Sequence, residues 1–187
     1  MSEIRPAENA DAGRWLLRPD VSWQDLVTFG PPGFDVYARI AFPEETDFTA
    51  AEEIDVVGAA LTILTAYTTT PDAAYAAIWE GWAGVDPPEA PRVLIPHRTM
   101  HLFAGPVEAL RAAPGVAWFD AEAGDGQEPH IVWPADQAWC LTCDVDEEIE
   151  FTVGCSEAAF RGLAQALPGS VRRVQYGDAV PTYRDEH

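Results

Sequence analysis

The residues best suited to chemistry in this chain are carboxylates set among tryptophans. Trp79 and Trp82 bracket Glu80, and Trp133 and Trp139 bracket Asp136. An indole beside a carboxylate can wall a pocket for a sugar, a base or a cation. The same residues can equally form a core in which each indole N–H finds an acceptor. Asp144, Asp146, Glu148 and Glu150 follow within one short stretch. Carboxylates held that close raise the proton affinity of at least one of them, which is what a general acid needs. Arg98 is the cation available to hold an anion. The candidate ligand-binding set is therefore Trp79, Glu80, Trp82, Arg98, Trp133, Asp136, Trp139 and Asp144. Within it, Asp136, Asp144 and Glu80 are the acids or bases that a small hydrolase or transferase would use.

Two further motifs lose their chemistry once placed on secondary structure. Trp139-Cys140-Leu141-Thr142-Cys143 has the spacing of a thioredoxin-type WCxxC. A redox pair of that kind works at a helix N-terminus, where the dipole lowers the thiol pKa. Here the surrounding alternation predicts a strand. Cys140 and Cys143 then point to opposite faces, roughly 10 Å apart along the chain, whereas a disulfide needs Cβ atoms about 4 Å apart. Cys143 is expected in the core and Cys140 half-exposed. His97 and His101 are spaced for a helical metal pair, but no HExxH glutamate lies between them. Pro96 precedes them and strand residues follow, which spreads the rings about 13 Å apart. A metal there would need outside ligands such as His130. The acidic stretch lacks the central Gly and terminal Glu of an EF-hand loop. No P-loop, GxGxxG or GxSxG occurs. The reading names no catalytic residue, no metal ligand and no cofactor.

The elements that must position these residues follow from periodicity. Phe34, Val36, Ala38, Ile40 and Phe42 alternate, predicting a half-buried strand after the Gly30-Pro31-Pro32-Gly33 break. Ile54, Val57, Leu61 and Leu64 share one face of a helix over 54–66, and Glu52, Glu53 and Asp55 suit its positive end. AAYAAIWEGWAG (73–84), in which Tyr75, Ala77 and Trp79 alternate, reads as a buried strand, with a helix as the alternative, and 86–91 as a proline-rich loop. Short strands are predicted at 92–95 and 99–104, then a helix from Pro106 to about Ala113. Residues 121–129 read as a flexible loop.

The clearest pattern is residues 139–155. Trp139, Leu141, Cys143, Val145, Ile149, Phe151, Val153 and Cys155 occupy the odd positions. That predicts an antiparallel pair with one dry and one wet face. On the wet face Asp144 lies opposite or diagonal to Glu150, a repulsion that Arg172 or Arg173, solvent or a metal would relieve. Ser156 caps a helix carrying Phe160, Leu163, Ala164 and Leu167, which Pro168-Gly169 stops, and a last strand spans 171–176. The fold class is α+β: a mostly antiparallel sheet of about five to seven strands, with about three helices mainly on one side. Residues 1–13 are expected as a disordered leader, 14–180 as a single domain and 181–187 as a polar tail.

Bulk properties narrow the function. The 187 residues are 48 % hydrophobic, enough for one packed core. No run approaches a membrane span, and the N-terminus lacks the apolar stretch of a signal peptide. Three cysteines, an odd number, argue for a reducing compartment, so the expected location is cytoplasmic. The formal net charge is −20, with eleven arginines and no lysine. That sign opposes nucleic-acid binding, which needs cations facing phosphate. It suits a basic protein partner, in the manner of an immunity or antitoxin protein, and also plain solubility.

Four segments carry a resemblance: FGPPGFDVYARIAF (29–42), TTTPDAAYAAIWEGWAG (68–84), VLIPHRTMHLFAGP (93–106) and HIVWPADQAWCLTCDVD (130–146). Together with the tail VPTYRDEH they resemble an uncharacterised actinobacterial family bearing TP…W[DE]GWG and WPADxAWC…DVD motifs. The resemblance implies a bacterial cytosolic protein and carries no reaction. After Asp146 the chain departs from it, with Glu-Glu-Ile where relatives often have Pro-His-Trp. The expected function is a non-catalytic interaction or ligand-binding protein with an acidic surface, its partner a basic protein or a small ligand. The alternative is the carboxylate enzyme described above.

Overall fold

The computed structural model describes residues 4–43, 50–81, 89–112, 129–145, 147 and 149–181, without the side chains of 50–55 and 112. In chain order the elements are β1 (Arg5–Pro6), a 3₁₀ turn (Asp11–Leu16), α1 (Trp23–Phe29), β2 (Val36–Ala41), α2 (Ala50–Leu64), a second 3₁₀ turn (Thr65–Tyr67), β3 (Ala74–Trp79), β4 (Arg92–Ile95), β5 (Arg98–Gly105), α3 (Val107–Ala112), β6 (Ile131–Pro134), β7 (Cys140–Thr142), β8 (Glu150–Cys155), α4 (Glu157–Ala166) and β9 (Val171–Val174). Trp82, Asp146, Glu148, the side chains of Glu52, Glu53, Ile54 and Asp55, the loop 121–128 and the tail beyond Pro181 lie outside the described residues.

All nine strands join one sheet in the order β1-β5-β3-β6-β7-β8-β2-β9, with β4 also on the outer edge of β5. Every described pairing is antiparallel. The α+β class and the antiparallel sheet are as expected, but the counts are not: nine strands and four α-helices are described, more than the expected five to seven strands and about three helices. The expected five to seven miss β1, too short at two residues to show an alternation, and β6, whose four residues are all buried and so do not alternate. Within the stretch expected as leader, Arg5 and Pro6 pair with Ala104 and Phe103, and Ala7 is buried.

The three expected helices lie on one face. Val57, Leu61 and Leu64 of α2, Leu110 of α3 and Leu163 of α4 pack on Ala38, Ile40, Phe151 and Val153. Ser156 caps α4 by accepting from the Ala159 N–H at 3.2 Å. The other face corrects the expectation of a wet side. There Leu16 of the first 3₁₀ turn and Leu26 and Val27 of α1 cover Ala77, Met100, Leu102, Ile131 and Cys140. Helix α1 is local in origin: Ser22 accepts from the Asp25 N–H at 3.0 Å, and Gly30 ends it. A Cβ at Gly30 would meet the Thr142 Oγ1 at 2.9 Å, so only glycine lets α1 close this tightly on β7. Cys140, expected half-exposed, is fully buried beneath it. Cys140 and Cys143 do fall into cores on opposite faces.

Polar side chains on that covered face are sealed by Arg39, which is fully buried. Its Nε donates to Glu150 at 3.0 Å, and its Nη1 to Glu147 at 2.7 Å and to Thr152 at 2.9 Å. Its Nη2 donates to the Pro181 carbonyl at 3.3 Å. Arg172 grips the other side of Glu150 at 2.7 and 2.8 Å. So Arg172 relieves the acidic stretch as expected, while Arg173 turns instead to Glu157 at 2.7 Å. Among the described residues no helix is long and apolar enough to cross a membrane.

Candidate functional site

The β4–β5 hairpin delivers Arg98. Ile95 pairs with Arg98 across a two-residue Pro96-His97 turn, in which His97 adopts φ +64°. Its ring meets Trp23 edge-on at 5.4 Å. Arg98 therefore leaves the turn between two indoles, its guanidinium 4.9 Å from the Trp79 ring and 5.7 Å from Trp23. Trp79 ends β3, and Trp23 opens α1 with 38 % of its surface exposed. Asp144, in the loop after β7, approaches Arg98 Nη2 to only 3.6 Å. Asp144 Oδ1 accepts the Val145 N–H instead, at 2.9 Å.

This is an unusual state for an arginine. Its side chain is only 15 % exposed, yet it donates no hydrogen bond among the described residues, and its Nε is buried without an acceptor. Buried guanidinium groups normally have their donors filled. Arg98 instead faces a recess lined by Val27, Trp79, His130, Ile131, Asp144 and Val145. The enclosed space is about 10 Å³, close to the least that holds one water. His130 accepts the Trp79 N–H through Nδ1 at 3.0 Å. Burial, then the charge of Arg98, pushes its pKa down to about 3, so it stays neutral. The recess has room for one water-sized acceptor against a cation, beside the Trp79 indole.

The other residues singled out from the sequence fall elsewhere. Glu80 pairs with Arg92 at 3.1 Å and lies 3.6 Å from His101 Nε2. Trp133 is buried on the α1 face, stacked on Tyr75 at 5.8 Å, while Trp139 is buried on the opposite face. These two indoles cannot share a pocket over Asp136. Asp136 is a clasp: it accepts from the Thr69 N–H at 2.6 Å, from the Thr68 and Thr69 hydroxyls at 2.8 Å each, and from the Ala138 N–H at 3.2 Å. Burial works to raise its pKa, and these four donors outweigh it, so the net shift is downward. Trp82 lies outside the described residues.

Of the eight, then, the fold brings together Trp79, Arg98 and Asp144. It adds Trp23, absent from the sequence reading, and His130, which the sequence offers only as an outside metal ligand for His97 and His101. The Ser22–Asp25 cap signal before Trp23 was the available clue to the first. His130 carries no local signal, because its role depends on β3 running beside it. No group of three or more His, Cys, Asp or Glu among the described residues is placed to hold a metal ion. No protein-family model matches the chain, and no curated protein or solved structure matches it. Fold and site define an α+β chain with one antiparallel sheet covered on both faces and an arginine recess at one end of β3 and β5.

Proposed function

We propose that this chain is a non-catalytic binding protein that holds the carboxylate of a small aromatic ligand at the mouth of the Arg98 recess. The single observation behind this reading is Arg98 itself, withdrawn from solvent between two indoles with its Nε buried and without an acceptor. A planar fork of N–H groups suits a carboxylate, and the 3.6 Å tie to Asp144 is long enough to exchange for it. The exposed face of Trp23 gives the ligand's ring a wall. Three buried free cysteines and the actinobacterial resemblance favour a bacterial cytosolic setting. The −20 charge adds a basic protein as a second kind of partner.

The carboxylate-enzyme alternative has less behind it. Glu80, Asp136 and Asp144 sit in three separate environments, and the donors around Asp136 hold it ionised and satisfied. Calorimetric titration with benzoate and indole-3-acetate tests the binding reading, with benzamide as the uncharged control. Benzoate or indoleacetate binds the native chain, benzamide does not, and Arg98→Gln lowers the affinity at least tenfold. Equal binding to Arg98→Gln, or no binding by either acid, overturns it.

A further inference from the structure

The opposite end of the β3–β5 pair carries a second opening, and it differs in kind. The sheet register sets Arg5, Ala104 and Tyr75 side by side across β1, β5 and β3. Residues directly opposed across neighbouring strands share a face. Arg5 and Tyr75 thus stand on one face, two strand spacings or roughly 10 Å apart. Ala104 between them supplies only a methyl group. One side of the Tyr75 ring is occupied by Trp133.

The result is an open cleft of about 470 Å³, lined also by Ala74, Gly105 and Asp72. That volume falls within the roughly 300–1,000 Å³ of small-molecule sites. Arg5, Asp72 and the Tyr75 hydroxyl form no hydrogen bond or ion pair with any side chain among the described residues. A cation and a carboxylate therefore line one cleft without pairing to each other.

From this we infer that the cleft binds a small zwitterion, an amino acid whose carboxylate meets Arg5 and whose ammonium meets Asp72. Charge complementarity selects the class. A simple anion would gain from Arg5 and lose to Asp72, and a simple cation the reverse. A ligand with both charges satisfies both groups at once, and its carbon chain crosses the Ala104 floor beside Tyr75. The small floor is what admits it, since a larger side chain at Ala104 would fill the gap.

A ladder of ω-amino acids, from glycine through β-alanine and 4-aminobutanoate to 6-aminohexanoate, measures the span by saturation-transfer NMR and calorimetry. One length binds best, and acetate and methylammonium bind at least tenfold more weakly. Arg5→Gln and Asp72→Asn each lower the best affinity at least tenfold. Both side chains are exposed, so neither change touches the core. Ala104→Leu abolishes binding, and Arg98→Gln leaves it unchanged. The inference is overturned if no member of the ladder binds, if Arg5→Gln and Asp72→Asn bind as the native chain does, or if Arg98→Gln is the change that removes binding.

Discussion

Arg39 and Arg98 are both withdrawn from water, and they are partnered in opposite ways. Arg39 donates to two carboxylates, a hydroxyl and a carbonyl, all at 3.3 Å or less. Arg98 has two indole faces and one carboxylate at 3.6 Å. The first arrangement closes a fold, because every nitrogen of the guanidinium donates within the protein. The second holds a cation ready and answers it poorly. A buried arginine is thus informative about function only through the state of its donors.

Substituting each arginine by methionine breaks or sharpens this contrast most strongly. Arg39→Met leaves Glu147 in a sealed face without its counter-ion and takes one of two arginines from Glu150, at a cost of about 3–5 kcal/mol. Arg98→Met removes two stacking contacts and costs about 1 kcal/mol. Urea unfolding reads both, and equal losses would remove the distinction.

A second expected effect is on pH dependence. Burial pushes the Glu147 carboxyl up to about 7 against the opposing pull of Arg39. In the unfolded chain that proton leaves near the ordinary value of 4.5. Between these values the native state binds more protons, so this group's contribution to stability falls as pH rises from 4.5 to 7. Glu147→Gln keeps the neutral shape and flattens that slope in melting temperature against pH. Parallel curves for the two proteins would show that Glu147 is ionised beside Arg39 throughout.

The smallest effect concerns Asp136, a satisfied carboxylate at the surface. Asp136→Asn weakens the clasp by about 1 kcal/mol or less. Amide exchange quickens at Thr69 and Ala138, whose N–H groups it holds. Its lowered pKa places this stability above the ordinary carboxylate value, to be lost as pH falls through the folded one. The difference between native and variant therefore closes in acid. A gap that persists there would mean the clasp works by shape and not by charge.

These contrasts also explain what could be read without coordinates. The alternation at 139–155 and the apolar stripes of α2 and α4 announced themselves, because one face of each meets a continuous core. The parity of Cys140 and Cys143 was legible for the same reason. The second covered face was not, because Arg39, Glu150 and Thr152 look like solvent-facing residues in a one-dimensional pattern. They come together only in the fold, where Arg39 reaches Glu147 across more than a hundred residues and the Pro181 carbonyl from beyond β9. The Arg98 site was half visible: Trp79, Arg98 and Asp144 were named, but their company with Trp23 and His130 depends on which strands become neighbours. Trp133, Trp139 and Asp136 were grouped by sequence nearness, and the pleat of the sheet separates them.

The ends of the sheet have one more consequence, for self-association. An open edge is a template on which another copy's strand can pair. On one side the outer rim of β5 is divided between β1, of two residues, and β4, of four, so neither presents a long row of free backbone groups. On the other side β9 is four residues long with Arg172 and Arg173 at its centre. A second chain approaching that rim meets adjacent fixed guanidinium groups, each locked to a glutamate. Both rims thus present short edges, one of them bearing charged side chains, of the kind that disfavours edge-to-edge pairing.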